Sequence, residues 1–90
     1  MLNPKYLTKF EKDYKRCQKR GYKMQDILEI MEKLEKEIPL EAKHQVHQLQ
    51  GEYKGKIDCH INSDWILIYE IDKKTREIFY VRTGTHSDLF

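Results

Sequence analysis

The sequence contains little cysteine, proline or glycine: two, two and four residues among 90. Two cysteines, Cys17 and Cys59, cannot form the disulfide framework of a small secreted domain, so we expect both to be reduced. No repeat, low-complexity segment or Ser/Gly-rich linker divides the chain. Residues 1–90 are therefore predicted to form one domain with a small core.

Long apolar runs are also missing. The longest covers residues 65–69, which is far too short to cross a bilayer. The first residues lead directly into charged sequence and lack the apolar region of a signal peptide. These absences predict a soluble, cytoplasmic protein with no membrane partner.

Basic residues are unevenly distributed along the chain. The formal net charge is +2, but residues 1–23 contain eight lysines and arginines against two acidic residues. Such a segment attracts phosphate backbones and acidic proteins, although a single short basic stretch is more often a solvated helix face. Hydrophobic residues still make up 39% of the chain and follow regular spacings, which argues against disorder.

Apolar spacing predicts two helices in the first half. Apolar residues three and four apart define a helix over about residues 6–20, and Gly21 suits the position after it, where positive φ is needed. A second amphipathic face covers residues 24–38. It is expected to end there because Pro39 disfavours helical geometry in the residue before it. The short break predicts two helices packed as a hairpin.

The second half predicts strands. Residues 40–50 are polar and are interpreted as a loop. Three strands follow, over about residues 56–61, 65–72 and 77–83, separated by turn sequences. The middle strand is apolar on both faces, as expected of a central strand. We therefore predict an α+β fold in which the helical hairpin covers one face of a small antiparallel sheet.

Strand alternation assigns side chains to the two sheet faces. If Cys59 and the isoleucines two residues to either side face the helices, His60 faces away from them. If Phe79 and Val81 also face the helices, Arg82 likewise faces away. A histidine and an arginine from different strands would then share the uncovered face.

The residues suited to proton transfer near neutral pH all lie in the later part of the sequence, from residue 44 onward: His44, His47, His60 and His86. Two histidines and an arginine could supply the base, the acid and the cation that RNA transesterification needs, and this reaction requires no metal or cofactor. From composition alone, scattered histidines are more commonly surface or core residues.

Zinc binding is the alternative chemistry. His44, His47, Cys59 and His60 could offer four ligands, but their spacing matches no standard zinc pattern and there is no Cys-x-x-Cys. Cys59 is expected to be a small buried hydrophobe, pointing away from His60. No metal site and no cysteine nucleophile are therefore predicted.

Four segments agree in order and spacing with one known family. Residues 82–90 read RTGTHSDLF, residues 47–51 read HQLQG, residues 58–60 read DCH and residues 64–69 read DWILIY. Together they resemble the YafQ-type toxins, which are ribosome-dependent mRNA endonucleases of the RelE/ParE superfamily. The likeness covers about residues 44–90 and implies a small α+β fold of the microbial ribonuclease type.

The resemblance also implies roles for a catalytic set. His86 is similar to the general acid that protonates the leaving 5′-oxygen. His47 and His60 resemble histidines that activate the 2′-hydroxyl and bind phosphate. Asp64 would orient one of these histidines, and Arg82 would stabilise the charge that develops on phosphorus.

Substrate and partner contacts are implied in the same way. Trp65 and Phe90 align with aromatics that shape the site or position the RNA, while Lys54 and Lys56 would face ribosomal RNA together with the basic first helix. The implied partners are a cognate antitoxin, the ribosome and its mRNA, with operator DNA bound only through the antitoxin complex.

Two points leave alternatives open. The family loop usually reads Asp-His-Pro where this chain has Val46-His47-Gln48, so the loop is less constrained and the position of His47 is in question. A toxin of the same fold could instead act by binding a protein, as ParE-like toxins do with gyrase, or the chain could be an inactive member. A pure binder has no need of three histidines around an arginine.

Overall fold

The computed structural model describes residues 1–90 as a five-stranded sheet with two helices packed on one face. The elements are β1 (Asn3–Tyr6), α1 (Thr8–Lys19), α2 (Met24–Glu35), β2 (His47–Gln48), β3 (Ile57–Asn62), β4 (Trp65–Asp72), β5 (Glu77–Gly84) and α3 (His86–Leu89). The strand order is β1-β5-β4-β3-β2, with β1 parallel to β5 and every other pair antiparallel. The predicted fold class is confirmed. No helix has the length and apolar character needed to cross a membrane.

The ends of the two long helices agree with the prediction to different degrees. α1 stops where expected, because Gly21 takes a φ of +82° and its N–H bonds the Gln18 carbonyl. α2 ends at Glu35, before the predicted limit at residue 38. Glu37 takes a φ of +59°, and the Ile38 N–H closes the last turn on the Lys33 carbonyl. The helix therefore ends by its own capping geometry, before Pro39 can act.

Both edge strands were missed by the sequence interpretation. β1 occupies residues 3–6, where the prediction started a helix at residue 6, and it pairs with the first half of β5. Its polar sequence shows no alternation, so its extended conformation comes from pairing with β5 and from burial of Leu2. β2 lies inside the predicted loop over 40–50, after a 3₁₀ turn at Ala42–His44, and pairs with β3.

Apolar side chains fill both sides of the sheet. Between the sheet and the helices, Ile27 and Met31 pack with Cys59 and Leu67, and Tyr80 reaches through this layer to donate a 2.7 Å hydrogen bond to the Glu35 carboxylate. A smaller cluster lies on the opposite face: Ile66, Ile68, Val81 and Leu89. β4 is thus buried on both faces, as predicted for a central strand.

The predicted orientation of β5 is wrong. Tyr80 lies in the core beneath the helices, while Val81 packs on the opposite face with Ile68. Strict alternation would then turn Arg82 toward the helices. Instead, a β-bulge leaves Val81 without a register partner and pairs Arg82 with Ile68. Arg82 therefore lies on the uncovered face as predicted, but the bulge places it there.

The last strand turns directly into α3. The Thr85 side chain accepts a hydrogen bond from the Asp88 N–H, and the Asp88 carboxylate accepts one from the Thr85 N–H, which forms a capping box. Gly84 precedes this turn at a φ of +155°, and a Cβ atom there would lie 2.8 Å from Asp88 Oδ2. The turn therefore requires glycine at position 84.

Gly84→Ala should lower the free energy of unfolding by about 1–3 kcal/mol, because the new methyl group displaces the Asp88 carboxylate. Gly21→Ala is the matched control, since its φ is also positive but nothing lies within 4 Å of the added carbon. Its cost should be limited to backbone strain of about 1 kcal/mol. Denaturant unfolding measures both, and a smaller loss for Gly84→Ala than for Gly21→Ala would contradict this account.

Candidate active site

The candidate site lies on the sheet face opposite the two long helices. Its floor is the smaller apolar cluster of β4, β5 and α3, bordered by the half-buried Leu49 and Tyr53. The register of the sheet brings the polar residues above it together. His60 of β3 is opposite Ile66 of β4, and Ile66 is opposite Gly84 at the end of β5, so α3 starts next to His60.

His60 and His86 are direct neighbours. Their ring centroids are 5.5 Å apart and the ring planes meet at 71°. His60 is partly buried, whereas His86, the first residue of α3, is exposed. Two of the predicted catalytic histidines are thus brought together from elements 26 residues apart in sequence.

Asp64 holds the His86 ring. Its Oδ1 lies 2.6 Å from His86 Nδ1 and accepts a 3.1 Å hydrogen bond from the His86 backbone N–H. These hydrogen bonds lower the pKa of the Asp64 carboxyl, which therefore stays ionised. An ionised carboxylate only accepts, so Nδ1 carries the proton and Nε2 is left to face a substrate.

His47 lies on the edge strand β2. Its Nδ1 is 2.8 Å from the Gln45 carbonyl oxygen and 3.0 Å from Asp58 Oδ1. Two constraints fix the loop without the family's proline: Gln45 takes a φ of +46°, and His47 pairs with Asp58 in the sheet. His47 therefore lies at the same face as the other two histidines.

Asp58 is a site residue that the sequence analysis did not single out. It is only 2% exposed, and its Oδ1 has no hydrogen bond because the nearby His47 Nδ1 bonds the Gln45 carbonyl instead. Burial raises the pKa of the Asp58 carboxyl, and the nearby His47, His60 and His86 oppose this rise. Its position two residues before His60 was the signal in the sequence, because the two must share a strand face.

Arg82 lies deeper in the fold than a free substrate-binding cation would. Its Nε donates a 2.6 Å hydrogen bond to Asp13 Oδ2 of α1, and this bond raises the pKa of the guanidinium. Its Nη1 lies 3.5 Å from the Tyr53 hydroxyl. Arg82 thus reaches the site while anchored to α1, and Tyr53 joins the site as a second residue that sequence reasoning missed.

The C-terminal aromatic borders the site. Phe90 is 62% exposed, its centroid lies 6.1 Å from that of His86, and Tyr53 packs edge-on against it at 5.7 Å. The buried neighbour Leu89 holds this end of α3 on the apolar floor. Phe90 thus combines a local anchor with a free ring face, which suits contact with a base.

The other predicted substrate residues have different positions. Trp65 is 3% exposed and its Nε1 donates a 2.9 Å hydrogen bond to Thr83 Oγ1, so its indole is a core group and direct stacking on RNA is not supported. Lys54 is exposed, Lys56 is half-buried, and neither forms an ion pair. His44 is buried with its Nδ1 2.6 Å from the His60 carbonyl oxygen, so it supports the backbone of β3.

The alternative zinc ligands do not form a cluster. Cys59 lies in the core between the sheet and the helices, on the opposite side of β3 from His60. Burial raises the pKa of the Cys59 thiol to about 12, so it remains protonated at neutral pH. No group of three or more histidine, cysteine and acidic side chains is arranged to hold a metal ion.

Known proteins share this fold and sequence. The chain matches, over residues 2–90, the family described as bacterial toxin of type II toxin-antitoxin system, YafQ. The mRNA interferase toxin YafQ of Escherichia coli K12 is 41% identical over 86 residues, which is 94% of this chain and 91% of that protein. Crystal structures of YafQ from E. coli BL21(DE3) and of the E. coli DinJ-YafQ complex superpose with TM-scores of 0.92 and 0.89, at 36% and 37% identity, covering 100% of this chain and 99% of each matched chain.

The fold and the polar cluster on its uncovered face therefore define a small toxin of the RelE-like type. The chain belongs to the YafQ family of bacterial type II toxin-antitoxin toxins. The family resemblance predicted from the sequence is confirmed.

Asp58→Asn should raise the melting temperature at neutral pH, because the ionised carboxylate is buried without adequate hydrogen bonds. The carboxyl pKa is higher in the folded than in the unfolded protein, so the penalty is present above the folded pKa and fades as pH falls toward the unfolded value. The advantage of the variant should therefore shrink on acidification. Thermal unfolding of both proteins over a pH series measures this, and a pH-independent difference would contradict it.

Proposed function

We propose that this protein is an endoribonuclease that cleaves mRNA on the ribosome by acid–base attack of a 2′-hydroxyl on the adjacent phosphodiester. The observation that carries the proposal is the pair of neighbouring histidines, His60 and His86, of which one is oriented by the carboxylate of Asp64. The name of the E. coli relative, mRNA interferase toxin, supports the same substrate class.

The reaction needs two proton transfers. A base removes the proton of the 2′-hydroxyl as this oxygen bonds to phosphorus, and an acid gives a proton to the 5′-oxygen as its bond to phosphorus breaks. The products are a 2′,3′-cyclic phosphate and a free 5′-hydroxyl. Two histidines whose rings lie 5.5 Å apart suit this pair of transfers.

His86 is the acid in this proposal. With its Nδ1–H fixed on Asp64, the ring presents Nε2, and the carboxylate stabilises the protonated imidazolium. His60 has no side-chain hydrogen bond of its own and is assigned as the base. His47, at the rim of the same face, is assigned to the phosphate.

Arg82 and Phe90 complete the substrate site. A guanidinium at the phosphate stabilises the negative charge that builds up on the non-bridging oxygens in the transition state. The exposed ring of Phe90 beside His86 supports stacking of a base next to the cleaved bond.

The basic face of α1 supports binding to the ribosome. Its unpaired lysines are all exposed: Lys9, Lys12, Lys15 and Lys19. Lys54 and Lys56 add positive charge from the segment before β3. Lysines held free of ion pairs on a rigid helix suit a folded RNA surface, where recognition depends on phosphate contacts.

Inhibition by a cognate antitoxin belongs to the same proposal. The E. coli relative is seen in a complex with DinJ, and 37% identity across the whole chain supports an equivalent partner here. Operator DNA would be bound through that antitoxin complex.

His86→Ala should reduce single-turnover cleavage of ribosome-bound mRNA by at least about 100-fold, because the proton donor is lost. Asp64→Asn should also slow cleavage, since the amide carries no negative charge to stabilise the His86 imidazolium. Ser87→Ala is the matched control, an exposed neighbour on α3 with no side-chain contact to the site. Primer extension on cleaved mRNA gives the readout.

Growth arrest by the same variants separates the alternatives. Expression of His86→Ala should no longer arrest growth, whereas Ser87→Ala should remain toxic. Toxicity that survives the loss of His47, His60 and His86 together would refute cleavage as the mode of action and favour a toxin that acts by binding a protein.

Replacing Lys9, Lys12, Lys15 and Lys19 with glutamine should weaken binding to ribosomes and flatten its salt dependence. Each lost phosphate contact should lower the slope of log K against log salt by about 1. The rate of cleavage at saturating ribosome concentration should stay close to wild type, because none of these residues contacts the site. An unchanged slope would show that α1 faces solvent in the complex.

A further inference from the structure

Asp13 lies in the middle of α1, outside the set of residues considered so far as catalytic. Its carboxylate is buried and accepts four hydrogen bonds. Arg82 donates through Nε at 2.6 Å and Nη2 at 3.2 Å, the Arg16 Nη2 donates at 3.0 Å, and the backbone N–H of Thr83 donates at 3.1 Å. Such a full set of donors is what a buried carboxylate requires.

The contacts with Arg82 occupy only one edge of its guanidinium. An arginine has two edges that can each bind a pair of oxygens, one formed by Nε and Nη2 and the other by Nη1 and Nη2. Asp13 takes the first edge. The second is left with Nη1 3.5 Å from the Tyr53 hydroxyl, and Tyr53 packs against Phe90 at the border of the site.

Asp13 also fixes the strand from which Arg82 projects. Its Oδ2 accepts from both the Arg82 side chain and the N–H of the next residue, Thr83. The carboxylate thus holds both the Arg82 guanidinium and the backbone immediately after Arg82. This removes rotational freedom that a guanidinium on a bulged strand would otherwise have.

We infer that Asp13 is a positioning residue for RNA cleavage, which holds Arg82 by one edge so that the other edge receives two oxygens of the scissile phosphate. Asp13 itself does not touch the RNA in this arrangement. The inference rests on the proposed function, because it requires Arg82 to act on a phosphodiester.

Asp13→Asn tests this directly. The amide has nearly the same shape but cannot accept all four hydrogen bonds, so Arg82 is released. A misplaced group of this kind costs about 100-fold in rate, and we expect that loss in single-turnover cleavage of ribosome-bound mRNA. The ribosome concentration at half-saturation should change less than about threefold, since only transition-state contacts are lost.

Asp13→Glu covers the case in which the asparagine variant does not fold. It keeps a negative charge beside Arg82, but the extra carbon moves the carboxylate by about 1.5 Å. Cleavage slower by about tenfold or more is expected. A glutamate variant that cleaves like the wild type would overturn the inference.

Two controls separate positioning from loss of structure. Cys17→Ala loosens the same helix from the core without touching Arg82. It should cleave at close to the wild-type rate even where its melting temperature falls as far as that of Asp13→Asn. Glu11→Gln makes the same acid-to-amide change at an exposed position of α1 and leaves the pair between Asp13 and Arg82 intact. A loss for either control as large as that for Asp13→Asn would refute the positioning role.

A double-mutant cycle distinguishes this inference from the proposed function. Arg82→Ala should itself be slow, and adding Asp13→Asn should slow it by less than about twofold, because the residue through which Asp13 acts is gone. If the loss of rate in the double variant equals the product of the two separate losses, the inference is overturned and the proposed function stands. If Arg82→Ala cleaves as fast as the wild-type protein, both the inference and the role of Arg82 are overturned. If the wild-type protein does not cleave mRNA at all, the proposed function itself is overturned.

Discussion

The pairing of β4 with β5, and the single bulge within it, determines where Arg82, the apolar floor and α3 lie in the candidate site. Before the bulge, Tyr80 faces the helices and closes the main core. At the bulge, Val81 and Arg82 both face the opposite side of the sheet. Val81 forms part of the apolar floor of the candidate site, and Arg82 is one of its polar groups. The pairing of β4 with β5 then ends with Gly84 beside Ile66, which places the start of α3 next to His60. A shift of one residue would exchange core and site side chains.

A helix of four residues has no stability of its own, so α3 depends on contacts made elsewhere. Thr85 and Asp88 cap it, Leu89 anchors it on the apolar floor, and Arg20 of the region after α1 binds the Asp88 carboxylate through two hydrogen bonds of 2.7 and 3.1 Å. These bonds hold the pKa of the Asp88 carboxyl well below its usual range. The group that presents His86 is therefore fixed by the first helix and the last strand together.

The sequence predicted the parts of the fold whose signals are local. Helical spacing located α1 and α2 to within a few residues, and the turn signals separated β3, β4 and β5. β1 and β2 could not be predicted, because their extended conformation comes from pairing with distant strands. The same holds for the site: family motifs singled out the histidines, Asp64 and Arg82, but not Asp13, whose partner is 69 residues away. The direction in which Trp65 points could not be predicted either, because a motif records that an aromatic is present and not how it is oriented.

The exposed lysines of α1 have a consequence for how such a protein can change. Inside the site, three basic side chains each lie against a carboxylate: His86 against Asp64, His47 against Asp58 and Arg82 against Asp13. The candidate site therefore offers little unbalanced positive charge, whereas the exposed lysines of α1 form a basic surface outside it. Under the proposed function, affinity for a large RNA surface can be tuned by surface substitutions, one charge at a time, while the reacting groups remain untouched.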